Sequence, residues 1–241
     1  SNNAGYDSQP SFYSKKQIVF SSNREGQTDI AKYHIQSEIV SYINNTPNGG
    51  EYSPQRIPHS KNISAVRLDN DGLQRLYEYN INTGKSKELI TDLKVAYPFW
   101  YNKNKIIHVA IIGDDLDLMI TDLRTTKHTT IQKKVGRSLH KIPNSELVSY
   151  ISKKNETWSI RSLNPKTGKT QFIIDSVGQN EDICWLPNGT LLIANGSKIM
   201  KFNPKTASSW SLFHDFSKTK HKNISRITVN SEGTLLALVS E

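Results

Sequence analysis

The chain has 241 residues and a mass of 27.3 kDa, and 31 lysine and arginine residues against 22 acidic residues give it a net charge of +9. Aromatic residues make up 9% of the sequence, which together with the many aliphatic side chains excludes a disordered chain. A single cysteine, Cys184, excludes an intrachain disulfide and a zinc site built from cysteines. No apolar run approaches the roughly 20 residues of a membrane-spanning helix. We therefore expect a folded domain with a sizeable core and no membrane span.

Short segments that enter a turn recur along the whole chain at a nearly constant interval. Their last residues, used below as anchors, are Phe12, Arg56, Trp100, Ile142, Trp185 and Val229. The intervals between anchors are 44, 44, 42, 43 and 44 residues. A repeat of this length is typical of the blades of a β-propeller.

Further strands follow each anchor in the same order. Apolar second strands are predicted at 17–20, 62–66, 105–109, 146–150, 190–193 and 234–238. Alternating third strands are predicted at 29–35, 75–81, 117–123, 157–163 and 196–202, with shorter fourth strands such as 86–90 and 170–174. The strands are rich in β-branched and aromatic residues, Gly, Asn and Pro separate them, and no helical period persists, so the pattern predicts an all-β chain.

Four short antiparallel strands per repeat predict a single domain, a six-bladed β-propeller, rather than a β-sandwich with similar strand spacing. The predicted blades span 5–44, 45–92, 93–133, 134–176 and 177–217, with a partial sixth at 218–241. The last blade is incomplete because only two strands are predicted in it. Since an open edge strand promotes aggregation, we expect residues upstream of Ser1 to complete this blade.

The first repeat resembles that of a known family. The segments 6–12 and 18–26, followed by Asp29-Ile30, are similar to the TolB-like propeller repeat, also called the PD40 or WD40-like repeat, and in particular to exported Bacteroidetes proteins of this family. The resemblance implies a periplasmic or exported, non-catalytic scaffold for a protein or polysaccharide partner. Because the wider class includes oligogalacturonate lyases, a lyase or hydrolase acting on an acidic polysaccharide in the central channel is the alternative.

Residues just before the first strand of each blade point into the central channel of a propeller, so the repeat register predicts the side chains that line it. They are Asp7, Glu51, Tyr52, Tyr97, Arg137, His140, Glu181, Asp182 and Arg226. This mixture of charges favours either a binding site for a polar ligand or cation, or ion pairs that hold the blades together. We predict no catalytic residue among them.

Motifs for catalysis and for metal or cofactor binding are absent from the sequence. There is no Gly-x-Ser-x-Gly elbow, phosphate loop or His-Glu-x-x-His motif. The segment 69–72, Asp-Asn-Asp-Gly, begins like a calcium-binding loop, but Asn80 stands where that loop needs an acidic residue, so a hairpin turn is predicted instead. We expect no cofactor and no metal.

The basic residues are spread over turns and are not interleaved with exposed aromatic residues. This distribution argues against a nucleic-acid partner. Trp100 and Trp185 occupy equivalent anchors, so we predict that they pack between blades rather than form a sugar platform. We expect a monomer.

Overall fold

The computed structural model describes residues 5–240, and all the regular secondary structure in that range is β-strand. The first three sheets follow the chain in order. The first comprises β1 (Asp7–Ser14), β2 (Gln17–Arg24), β3 (Gln27–His34) and β4 (Ile39–Tyr42). The second comprises β5 (Gly49–Arg56), β6 (Ile63–Asp69), β7 (Gln74–Tyr79) and β8 (Ser86–Ile90). The third comprises β9 (Val95–Asn102), β10 (Lys105–Ile112), β11 (Asp115–Asp122) and β12 (Lys127–Gln132).

The remaining strands form two further four-stranded sheets and one two-stranded sheet. The fourth sheet comprises β13 (His140–Lys141), β14 (Val148–Ser152), β15 (Ser159–Leu163) and β16 (Thr170–Asp175). The fifth comprises β17 (Ile183–Trp185), β18 (Leu191–Asn195), β19 (Lys198–Phe202) and β20 (Ser211–Asp215). The sixth sheet consists of β21 (Ile224–Val229) and β22 (Leu236–Ser240).

Every sheet is antiparallel, and its strands are neighbours in chain order. Strand β21 contacts β17 of the fifth sheet and β1 of the first, so the two-stranded sheet lies between them and brings the two ends of the chain together. The predicted all-β propeller is confirmed, with five complete blades and a sixth sheet of two strands. Residues 5–240 contain no helix of the length and hydropathy needed to cross a membrane.

The core lies between neighbouring blades. Trp100 packs on Ile57 and Val66 of the second blade, and Trp185 packs on Ile151 of the fourth. Each indole N–H also donates a hydrogen bond to a buried serine of the preceding blade, at 2.7 Å for Trp100 and 2.8 Å for Trp185. The predicted packing role of both tryptophans is confirmed.

The predicted hairpin turn at Asp69-Asn70-Asp71-Gly72 is also confirmed. It joins β6 to β7, and the amide of Gly72 donates a 2.9 Å hydrogen bond to the carbonyl of Asp69. Gly72 has a φ of 82°, a left-handed conformation that glycine adopts without steric cost.

Candidate functional site

The innermost strands surround a central cavity of about 220 Å³. Each of the six sheets contributes to its wall the residue three positions before its anchor. These residues are Gln9, Ser53, Tyr97, Leu139, Asp182 and Arg226. The cavity is therefore built by the repeat itself, with a different side chain at the equivalent position of each blade.

In the first two blades, irregular pairing of the innermost strand brings this position to the channel. The β1–β2 register shifts between Ser8 and Ser11, and Gln9, which lies in the shift, has a φ of 56°. The β5–β6 register shifts between Tyr52 and Gln55, and Ser53 there has a φ of 52°. Such bulges redirect side chains at the edge of a sheet.

Two arginines from different sheets meet one carboxylate at this cavity. Arg137, which precedes β13, donates to Asp182 from its Nη2 atom, and Arg226 of β21 donates to the other carboxylate oxygen at 3.2 Å. Both guanidinium groups also donate to the carbonyl of Ser225, at 3.1 Å and 2.8 Å. Asp182 thus joins the fourth and sixth sheets from its place between them.

A second carboxylate extends this cluster away from the channel. Glu181 accepts a 3.0 Å hydrogen bond from the backbone N–H of Arg137 and lies 2.9 Å from the ammonium of Lys153. Lys153 also lies 4.0 Å from the centre of the Trp158 ring. Gly136 makes room for this arrangement, because a Cβ atom there would collide with Glu181 and lie 2.9 Å from Cβ of Ile151.

The electrostatics of the cluster reflect its partial burial. Burial raises the pKa of Asp182, and the guanidinium groups of Arg137 and Arg226 act in the opposite direction. Burial lowers the pKa of Arg137, but its hydrogen bond and charge interaction with Asp182 outweigh this, and the net shift is upward. Burial also raises the pKa of Tyr97, whose ring lies near both arginines. At neutral pH Arg137 therefore stays charged and Tyr97 stays neutral.

His140 also lines the cavity but belongs to no ion pair among the described residues. Burial lowers the pKa of its imidazole to about 4. His140 is therefore a neutral side chain at the cavity wall at neutral pH.

Tyrosines lie beside one end of the cavity. Tyr52 and Tyr97, together with Tyr6 and Arg226, line an adjoining cavity of about 340 Å³. The rings of Tyr6 and Tyr52 meet edge to face, with centroids 6.2 Å apart. This end of the channel offers aromatic surface next to a guanidinium group.

Four of the predicted channel residues do not line the central cavity. Tyr52 borders the adjoining cavity and Glu181 pairs with Arg137 and Lys153, whereas Glu51 and Asp7 lie elsewhere. Glu51 is fully buried and accepts hydrogen bonds from Thr46 Oγ1 at 2.7 Å and from the Tyr79 hydroxyl at 2.8 Å. Asp7 lines a separate cavity of about 530 Å³ between the first and sixth sheets, together with Lys220 and His221. Both precede the register shift of their strand, which explains why the repeat position alone did not place them.

The channel wall and the adjoining charged cluster also contain residues that the repeat register did not single out. Gln9 accepts hydrogen bonds from the Ser53 amide at 2.7 Å and from Ser21 Oγ at 3.0 Å, and so ties the first blade to the second. Lys153, the partner of Glu181, comes from a β14–β15 turn far from the innermost strand. The three-residue offset before each anchor was the available signal for Gln9 and Ser53, whereas nothing in the repeat pointed to Lys153.

Within residues 5–240, no group of three or more histidine, cysteine, aspartate or glutamate side chains is arranged to hold a metal ion. The acidic side chains of the cluster, Asp182 and Glu181, instead face cations. The local chemistry is that of cation–carboxylate recognition.

No protein-family model matches the sequence, and no curated protein matches it. Solved structures do match. A putative TolB from Agrobacterium tumefaciens superimposes with a TM-score of 0.72 over 87% of this chain and 81% of its own, at 10% identity. The chain has a TolB-like β-propeller fold.

Two other structures show how widely this fold is used. TolB from Acinetobacter baumannii matches with a TM-score of 0.60 and 18% identity, over 70% of this chain and 43% of that one. An oligogalacturonate lyase solved in complex with manganese matches with a TM-score of 0.59 and 11% identity, over 92% of this chain and 66% of that one. The chain thus spans less than half of the Acinetobacter TolB, and identities this low establish the fold alone.

Proposed function

We propose that this TolB-like propeller is a non-catalytic binding scaffold that receives an acidic group of a protein or polysaccharide partner in its central channel. The observation that carries the proposal is the pair of guanidinium groups of Arg137 and Arg226, which converge on Asp182 at the cavity wall. Arginine suits this task because its planar fork of donors matches a carboxylate.

The balance of charge in the cluster favours an anionic ligand. Arg137, Arg226 and Lys153 supply three positive charges, and Asp182 and Glu181 supply two negative ones. A carboxylate from a partner would complete the charge balance of this cluster.

The adjoining tyrosines support a partner larger than a free ion. Tyr52 and Tyr97 border the cavity beside Arg226, where a peptide or a sugar ring would contact them. Aromatic side chains beside arginine are the residues that most often dominate binding energy at interfaces.

The test uses the full chain and two defined probes, a short Asp- and Glu-rich peptide and galacturonate. Binding of each probe is monitored through the side-chain Nε–H signals of arginine in NMR spectra. We expect the signals of Arg137 and Arg226 to shift on titration with at least one probe. Arg226→Gln, which leaves the Arg137–Asp182 pair in place, should weaken that binding by roughly 10-fold or more, as expected for loss of a charged hydrogen bond.

The matched control is Arg75→Gln, which removes the same charge from β7, where the arginine pairs with Glu88 outside the channel. Binding by this variant should equal that of the unmodified chain. If neither probe shifts the two arginine signals, or if both variants bind equally, the channel is not the binding site.

The alternative is a lyase or hydrolase that acts on an acidic polysaccharide in the same channel. The observation that favours it is His140, a neutral imidazole at the cavity wall whose chemistry suits proton transfer. Turnover of polygalacturonate by the full chain that is abolished in His140→Gln would establish this alternative in place of the scaffold.

We infer further that the protein works in the periplasm or is exported. The inference is supported by the TolB-like repeat in the first blade and by the TolB-like fold. Cell fractionation of the natural gene product tests it, and recovery only in the cytoplasm would contradict it.

A further inference from the structure

The topology of the propeller gathers basic residues from separate parts of the chain at one of its ends. Because the strands of each blade are antiparallel and in chain order, the turns between strands one and two and between strands three and four emerge at the same end. We call this end the lower face. Contacts between neighbouring blades confirm that these turns lie side by side, since the Tyr13 hydroxyl donates to the carbonyl of Lys61 at 2.8 Å and Tyr101 donates to Glu146 at 2.7 Å.

Lysine is concentrated on the lower face of the second and fourth blades. Lys61 and Lys85 lie in or beside the turns of the second blade, and Lys141, Lys166 and Lys169 in or beside those of the fourth. All five side chains are exposed. The charge of this end is therefore accessible to a partner.

The third blade joins these groups into one basic arc. Lys103, Lys105, Arg124 and Lys127 come from its two lower turns. The acidic residues in the lower turns of these three blades are already neutralised. Asp122 pairs with Arg124 at 3.2 Å, and Glu146 lies 3.5 Å from Lys166 and 4.0 Å from Lys141.

A cleft runs through the middle of the arc. It has a volume of about 700 Å³ and lies between the lower turns of the second and third blades. Its wall is polar. It consists of Lys103, Lys105, the paired Arg124 and Asp122, the amide side chains of Asn102 and Asn104, and His59 of the second blade. Within the described residues, neither Lys103 nor Lys127 makes an ion pair.

We propose that this arc and its cleft bind an acidic polysaccharide, a sugar chain that carries carboxylate or sulfate groups. Lysine and arginine supply counter-charges along the arc, and the amides in the cleft can bind sugar hydroxyl groups. The surface is separate from the Arg137–Asp182–Arg226 site, which lies at the start of the innermost strands, so the proposal does not depend on the function proposed above.

Two other classes of anionic partner fit the surface less well. Single-stranded nucleic acid needs exposed aromatic side chains for stacking, but Tyr101 in the arc is partly buried with its hydroxyl bound to Glu146. A flat lipid surface meets exposed turns but does not enter a cleft, and none of the exposed large apolar side chains described lies in the arc to insert between lipids.

The test measures binding of the full chain to polygalacturonate and to neutral dextran by affinity electrophoresis at low and high salt. We expect the acidic polymer alone to retard the chain, with retardation lost at high salt. Lys103→Glu combined with Lys127→Glu should weaken binding about tenfold. Lys133→Glu combined with Lys154→Glu makes the same change of charge at the opposite end and should leave binding within about twofold of the unmodified chain.

The remaining outcomes overturn the proposal, each in a recognisable way. Equal weakening by both double variants would mean that net charge, and not this face, attracts the polymer. Loss of binding in Arg226→Gln with no loss in the lower-face variant would place the polymer in the channel. Binding to vesicles of phosphatidylcholine and phosphatidylglycerol, or to oligo-dT, without binding to polygalacturonate would assign the arc to lipid or to nucleic acid.

Discussion

Two buried carboxylates lie near the start of an innermost strand, Glu51 in the second blade and Asp182 in the fifth, and their surroundings are opposite. Glu51 has no exposed surface and is held by two neutral hydroxyl groups, those of Thr46 and Tyr79. Asp182 lies at the cavity wall between two guanidinium groups.

The two carboxylates differ in their surroundings because they stand at repeat positions that are two residues apart. Glu51 stands five positions before its anchor, Arg56, whereas Asp182 stands three positions before Trp185. In the second blade the fifth position precedes the bulge and is buried away from the central cavity, whereas the third position lines that cavity in both blades. Equivalent chemistry thus serves as internal support in one blade and as part of a candidate binding site in another.

The largest effect that would test this comparison is expected from Asp182→Ala. The change removes the carboxylate that Arg137 and Arg226 share and leaves Arg137 only the 3.7 Å contact with Glu181. Breaking such a partly buried pair from one side costs about 3 kcal/mol of unfolding free energy. Urea unfolding measures the loss. A cost below about 1 kcal/mol would show that solvent, and not Asp182, compensates the two arginines.

A second prediction concerns acid. The unfolded chain protonates His140 as the pH falls below 6.5, whereas the folded chain keeps it neutral down to about pH 4. The free energy of unfolding is therefore unaffected by this group above pH 6.5. It decreases by about 2 to 3 kcal/mol as the pH falls from 6.5 to about 4.

Unfolding of the His140→Gln variant across that range should show a shallower loss of stability than the unmodified chain. Burial also lowers the pKa of His108 to about 4, within the third blade, so His108→Gln is the matched comparison away from the channel. Superimposable pH profiles for all three proteins would contradict the prediction.

A third, smaller effect is expected from Gly136→Ala. The added Cβ collides with the carboxylate of Glu181 and lies 2.9 Å from Cβ of Ile151, and overpacking of this kind costs about 2 kcal/mol. Thermal or urea unfolding measures it. In a Glu181→Ala background the same change should cost less, and equal costs in both backgrounds would show that Glu181 is not the group that needs the space.

The smallest effect, and the one that most sharply separates the two carboxylates, is expected from Glu51→Gln. Burial raises the pKa of Glu51, so the folded chain holds this proton at a higher pH than the unfolded chain does, and stability is lost as the pH rises above 4.5. The glutamine variant lacks this loss and should be more stable at neutral pH by about 1 kcal/mol or less. If the difference between the two proteins is independent of pH, Glu51 is not protonated preferentially in the fold.

Residues with a packing role were the most predictable. Trp100 and Trp185 stand 85 residues apart at equivalent anchors, and both pack on the preceding blade and donate to a serine there. Strand positions were predictable for the same reason, since a buried strand needs apolar residues and a turn needs Gly, Asn or Pro.

The channel was predictable only in part. Tyr97, Arg137, His140, Asp182 and Arg226 line the central cavity, as the register suggested, but Asp7, Glu51, Tyr52 and Glu181 do not belong to its wall. In the first two blades the bulge that follows Asp7 or Glu51 depends on how the innermost strand pairs with its neighbour, and one shifted residue reverses the direction of a side chain.

The sequence by itself determined that the chain is a series of blades. Each blade must bury the apolar side chains of equivalent strands, and the same sequence pattern therefore recurs in every blade. Tertiary structure alone decided which charges meet. Arg137 and Arg226 are 89 residues apart, yet both contact Asp182. The lysines of the lower face are likewise dispersed along the chain and form one arc only because antiparallel strands bring alternate turns to the same end of the ring.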